Sequence, residues 1–89
     1  MTNVPPHIRN LAHDREFKVT IRIGRSGLSD AMYEELDAQL SSRKVVKVKM
    51  NKGLIEERAE RRTVFEEIAK RVNAILVDAR GNVAIYWRS

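Results

Sequence analysis

The sequence predicts an α/β domain: a four-stranded mixed sheet with helices in the order α-β-α-β-α-β-β, packed as a two-layer sandwich. Three observations lead there. Two segments alternate apolar with polar, mostly basic, residues at a period of two, 17–23 and 46–50. Each is followed by a segment whose apolar residues recur every three or four positions. The last two apolar runs are joined by Arg80-Gly81-Asn82, which has the chemistry of a hairpin turn. At 89 residues the chain has room for one core and not two. Residues 1–6 read as a flexible tail and 7–89 as a single domain.

Taken in order, Pro5-Pro6 suit a helix's first turn, and Ile8, Leu11 and Ala12 then share a face, so a short helix of little more than two turns opens the domain. Phe17, Val19, Ile21 and Ile23 alternate with Lys18, Thr20 and Arg22, which marks a strand with one buried and one wet face. It ends at Gly24-Arg25-Ser26-Gly27. Ser29 reads as an N-cap, Asp30 as a first-turn acid, and Leu28 as a staple onto Tyr33. Met32, Leu36 and Leu40 carry that helix to about Ser41-Ser42.

A second strand alternates Val46, Val48 and Met50 with Lys47 and Lys49, and Asn51-Lys52-Gly53 ends it. A long helix follows to about Asn73 on the stripe Val64, Phe65, Ile68, Ala69 and Val72. The pairs Glu57–Arg61, Glu66–Lys70 and Glu67–Arg71, four apart, add about 0.2–0.5 kcal/mol each. Traced backwards, the apolar stripe lands on Arg61 and Arg62, so the first turns of this helix are expected to project beyond the sheet. Ile75-Leu76-Val77 is a continuous apolar run, as for a strand in mid-sheet. Val83, Ile85 and Trp87 complete the hairpin.

Charge narrows the function. The formal net charge is +5, with 17 Lys and Arg against 12 Asp and Glu. Asp30, Glu34, Glu35 and Asp37 fall in one segment without a base. Setting those four aside, 17 bases face eight acids, a balance that attracts polyanions by steering and counterion release. With no cysteine, disulfides and thiolate metal sites are excluded. No apolar run approaches the roughly 20 residues of a membrane span, and the start lacks a signal-peptide core. The expected setting is cytoplasmic, without a membrane partner.

The glycine loop is the candidate anion site. Gly24 and Gly27 stand between a strand and a helix N-terminus, where backbone N–H groups and the helix dipole favour a phosphate. Arg25 adds a planar fork and Ser26 a hydroxyl. Lys18 and Arg22 on one polar strand face, and Lys47 and Lys49 on the next, would surround it if the strands are neighbours. Arg58, Arg61 and Arg62 form a second cluster. A nucleophile elbow is excluded because Leu28 stands where a glycine is required. The loop lacks the Lys-Ser/Thr ending of a P-loop, and no GxGxxG is present. His7 and His13 read as surface or capping residues rather than ligands. No catalytic constellation, cofactor, metal site or small-molecule substrate is expected.

The ordered set Leu11-Ala12-His13, the strand ending Ile23-Gly24-Arg25-Ser26-Gly27-Leu28-Ser29, Val46-Lys47-Val48-Lys49 and the terminal Ile85-Tyr86 with Arg88 resembles the CRM domain, the chloroplast RNA splicing and ribosome maturation family that includes small YhbY-like bacterial proteins. The resemblance spans residues 10–88. It implies a fold like the C-terminal domain of bacterial translation initiation factor three. It further implies RNA binding through Gly24, Arg25, Ser26 and Gly27. Single-domain members of that family associate with precursor large ribosomal subunits, and others promote splicing. Two features depart from the pattern: Pro5-Pro6 shorten the first helix, and Trp87 is inserted between Tyr86 and Arg88.

The expected function is thus binding of ribosomal or other structured RNA, assisting large-subunit assembly or RNA folding. Base readout should be weak, since few aromatics are free to stack. One alternative is a chromatin protein of the Alba type bound to duplex DNA, although such proteins carry Lys-Pro-like residues in place of GRSG. Another is a protein adaptor that docks a basic partner on its acidic helix.

Overall fold

The computed structural model describes residues 4–24 and 27–89. These form α1 (Pro6–Ala12), β1 (Val19–Ile23), α2 (Asp30–Arg43), β2 (Val45–Met50), α3 (Arg58–Arg71), β3 (Ile75–Arg80) and β4 (Val83–Trp87), in the expected order. The sheet order is β1-β2-β4-β3. β1 runs parallel to β2, and β4 lies antiparallel to both β2 and β3. The sheet is therefore mixed, with β2 and β4 at its centre.

One face of the sheet carries α2 and α3 and holds the main core. Ile21 and Ile23 from β1, Val46, Val48 and Met50 from β2, and Ala84 and Tyr86 from β4 meet Leu36 and Leu40 of α2 and Phe65 and Ile68 of α3. The period-two positions of β2 and β4 fill this layer because alternate side chains point to one side. Ile85 points the other way and is buried too, as are Val4, Ile8 and Ala12. α1 packs beside β3 and shields this corner of the outer face. The remainder of that face is open.

α2 begins as its sequence suggests. Ser29 is extended, and its hydroxyl accepts a hydrogen bond from the Met32 amide at 3.2 Å. The expected Leu28 staple does not close: Leu28 is 43% exposed, and Tyr33 instead lies under the guanidinium of Arg71, 4.2 Å from its ring centre. The helix ends at Lys44 in the left-handed conformation, φ 71°.

Three other features differ from the sequence reading. β3 is an edge strand, half-buried through most of its length, and β4 takes the centre. An apolar run cannot distinguish these positions, because here α1 and α3 cover the edge strand on its two sides. β1 begins at Val19, and its register to β2 shifts between Val19 and Ile21. That bulge brings Thr20 to the helix side, where its hydroxyl bonds Gln39 of α2. Finally, α3 makes different ion pairs. Arg62 pairs with Glu66 at 3.2 Å, whereas Arg71 reaches across to Asp30 at 3.3 Å.

Candidate nucleic-acid interface

Three loops converge at one end of the sheet. The Asn51 amide donates to the Ile23 carbonyl at 2.9 Å, joining the segment after β2 to the end of β1. The Met50 amide donates to the Asn82 carbonyl at 2.7 Å, bringing the β3–β4 turn alongside. Arg61 completes the junction. Its Nε donates to the Gly81 carbonyl at 3.1 Å, and its Nη1 donates to the carbonyls of Ile55 and Glu56 at 3.0 and 2.8 Å. The glycine loop, the 51–57 loop and the hairpin turn are thus held as one surface.

Arg61 was expected to project with the first turns of α3 and meet phosphate. It is half-buried instead and spends its donors on three backbone carbonyls, which makes it a positioning residue for this end of the sheet. The apolar stripe traced back to Arg61 thus ends on a half-buried residue whose head satisfies backbone carbonyls. Lys47 is similarly occupied. Its ammonium donates to the Phe17 carbonyl at 3.1 Å and sits 5.9 Å from the Phe17 ring centre. The bulge at Thr20 separates Lys18 from the face that carries Arg22, so Lys18 is exposed but stands outside their row. Lys18, Arg22, Lys47 and Lys49 do not form one cluster.

What does form is a row. Arg22 pairs in register with Lys49, Lys49 with Val83, and Val83 with Arg80. These positions share the outer face and cross all four strands at the loop end, a span of roughly 14 Å at about 4.8 Å per strand. Arg22 and Lys49 are exposed, and among the described residues neither forms an ion pair. Arg80 meets Asp78 at 3.4 Å, and the arginine side chain is 74% exposed, so water weakens the pairing. From sequence alone Arg80 belongs only to the turn Arg80-Gly81-Asn82. The alternation of Asp78 and Arg80 with Ala79 was the available signal.

The glycine loop lies beside Arg22. Arg25 and Ser26 fall outside the described residues. Gly27 has φ +70°, and its amide donates to the Gly24 carbonyl at 2.9 Å, closing a tight turn. Two amides of the loop and the helix start, those of Gly27 and Met32, are thus used within the protein. The two glycines are also not equivalent. Gly24 needs no positive φ, and a Cβ there would meet Asn51 Nδ2 at 3.8 Å, an ordinary contact. Gly27→Ala is therefore expected to cost about 1 kcal/mol in urea unfolding through left-handed strain, and Gly24→Ala close to nothing.

Arg58, Arg61, Arg62, Arg80 and Gly81 line an open cleft of about 350 Å³ between the start of α3 and the end of β3. The three expected arginines of α3 therefore do meet, and Arg80 joins them.

The match to known proteins follows this architecture. A family model for the CRS1/YhbY (CRM) domain matches residues 6–88. The chain belongs to the CRM domain family. No curated protein matches the chain. Among solved structures, the CRM chain resembles the hypothetical protein SAV1595 from Staphylococcus aureus, described as a candidate RNA-binding protein. The TM-score is 0.75 at 23% identity, over 93% of this chain and 81% of that one. At that identity the likeness establishes the shared fold. Within this CRM domain, none of the described helices is long and apolar enough to cross a membrane. No group of three or more His, Asp or Glu residues is placed to hold a metal ion among the described residues.

Proposed function

We propose that this CRM protein binds RNA by its phosphate backbone, at the end of the sheet where the Gly24–Gly27 turn meets the row Arg22, Lys49 and Arg80. That cross-strand row is the observation that carries the reading. Three exposed cations stand in register beside a loop whose Gly24 offers no side chain, on a fold belonging to the CRM family. The solved neighbour's description as a candidate RNA-binding protein agrees with it. Arg25 and Ser26 extend the contact from the loop. Lys18, Lys47, Arg58, Arg61 and Arg62 complete the basic surroundings, with Lys47 and Arg61 acting through the surface they hold in place. The RNA is proposed to be ribosomal, and the process large-subunit assembly.

Three of the four acids of the adaptor alternative have partners within the protein, although the side chains of Asp30 and Asp37 stay 90% and 61% exposed. Asp30 pairs with Arg71 at 3.3 Å, Asp37 with Arg88 at 2.7 Å, and Glu35 accepts from Gln39 at 2.9 Å.

Phosphate-led binding has a defined signature. Neutralising three or four phosphates gives a slope of log K against log salt of about −2 to −4. A structured RNA hairpin is expected to show such a slope and to outcompete duplex DNA by at least about tenfold. A flat salt dependence, or a tenfold preference for duplex DNA, would refute the reading. Gly24→Ala is a sensitive probe of close approach, since it adds a methyl group without strain: RNA affinity should fall about fivefold to tenfold while stability holds. Crosslinking in cells should recover precursor large-subunit RNA.

A further inference from the structure

The cleft at the far edge of the sheet has chemistry that the loop does not explain. It lies on the β3 side, whereas the glycine turn lies on the β1 side. Its walls come from two elements. Arg58 and Arg62 stand one turn apart on α3, and Arg80 ends β3. Arg61, between them, is committed to the carbonyls of Gly81, Ile55 and Glu56, and so fixes the distance between helix and turn. The remaining guanidinium groups face an opening whose floor includes Phe65 and Ala79.

Every base lining the cleft is an arginine. A guanidinium presents a planar fork matched to phosphate oxygens and is more weakly hydrated than an ammonium, so it loses less on contact. The internal partners are weak competitors. The side chains of Arg62 and Glu66 are 61% and 53% exposed, and that of Arg80 is 74% exposed. Arg58 forms no ion pair among the described residues.

Arg80 also belongs to a second opening, on the outer face, with Lys47, Val83 and Ile85. It therefore stands at the corner where the Arg22–Lys49–Val83–Arg80 row turns over the edge of the sheet into the cleft. From the position of these residues we infer that Arg58, Arg62 and Arg80 form a second phosphate subsite, which receives the RNA backbone after it has crossed the sheet from the glycine loop. The inference rests on the RNA-binding reading above and adds a direction to it: the strand runs from the β1 edge to the β3 edge, and Arg61 holds the exit open.

The test compares two charge-matched variants of the full chain. One is Arg58→Gln with Arg62→Gln, which leaves Arg80 of the row in place. The other is Arg43→Gln with Lys70→Gln, two bases away from the row and the cleft. Each loses two positive charges, so a general electrostatic effect is common to both. With a structured RNA hairpin, the cleft variant should bind about tenfold or more weakly, and its salt slope should shrink by about 1 to 2. The comparison variant should stay within about threefold, with its slope unchanged.

Equal losses in the two variants, or no loss in the cleft variant, would overturn the subsite while leaving RNA binding by the unmodified protein intact. Failure of the unmodified protein to bind RNA would remove the reading beneath it, and the subsite too. A second measurement needs no substitution: RNA should shift the Nε–H resonances of Arg58, Arg62 and Arg80 in the unmodified protein. Unmoved resonances, or equal shifts produced by polyglutamate, would also overturn the proposal.

Discussion

Tyr86→Ala is expected to remove about 4 kcal/mol of folding stability, the scale found when a buried aromatic side chain is deleted from a core. Tyr86 is fully buried on a central strand and belongs to the core formed with α2 and α3. Its hydroxyl donates to the Phe65 carbonyl at 2.9 Å, tying β4 to the middle of α3. A domain of this length has only about 4–13 kcal/mol in all, so the variant should be largely unfolded at moderate urea. Tyr86→Phe keeps the ring and loses the hydrogen bond, at about 1 kcal/mol.

The same phenol sets an alkaline limit. Burial, with Tyr33 adding to the effect, holds Tyr86 well above the ordinary tyrosine range. In the unfolded chain it ionises near pH 10, and in the folded chain it resists ionisation. Its contribution is therefore fully present below about pH 10 and is lost as pH rises beyond that. Urea midpoints measured from pH 8 to pH 11.5 should fall above pH 10 in the natural protein, and less steeply in Tyr86→Phe.

Arg88→Ala is the second large effect, at about 3 kcal/mol. The Arg88 side chain is only 20% exposed. Its guanidinium donates to Asp37 Oδ1 at 2.7 Å, to Ser41 Oγ at 3.1 Å and to the Val72 carbonyl. Its own amide donates to the Lys44 carbonyl at 2.8 Å. One side chain therefore closes the end of the sheet away from the loops, joining β4 to α2 and to the last turn of α3. Hydrogen bonds from a charged group contribute about 1.5–3 kcal/mol, and the Val72 carbonyl loses this partner on truncation. Asp37→Asn should cost under about 1 kcal/mol, because Asp37 is 61% exposed. Thermal unfolding of the two variants at one pH separates these contributions. RNA affinity of folded Arg88→Ala should be unchanged, since Arg88 lies at the opposite end from the loops.

Much of the architecture was legible from the residues because local signals agreed with one another. Ser29 caps α2 as its position suggests, Lys47 and Lys49 mark the alternation of β2, and Arg80-Gly81-Asn82 makes the hairpin. The motif around Gly24 and Gly27 pointed to the family that the whole-chain match establishes.

The losses came where two segments had to be placed against each other. A one-residue shift between Val19 and Ile21 leaves no mark in an alternating sequence, yet it removes Lys18 from the face of Arg22. Nor does composition distinguish Lys49, which is exposed, from Lys47, which turns back to Phe17. Arg61 reads as one arginine of three until the three carbonyls it binds are brought together by distant loops. Arg80 carries the converse lesson. Its importance comes from cross-strand neighbours in β4 and, through them, in β2 and β1.

The placement of RNA across the loop end of the sheet is tested most directly by the amide spectrum of the protein on addition of a structured RNA hairpin. The largest shifts are predicted for residues 22–24, 27–28, 49–54 and 80–83. Shifts confined to residues 44–45, 73–74 and 87–89, or to the acidic face of α2, would contradict the account.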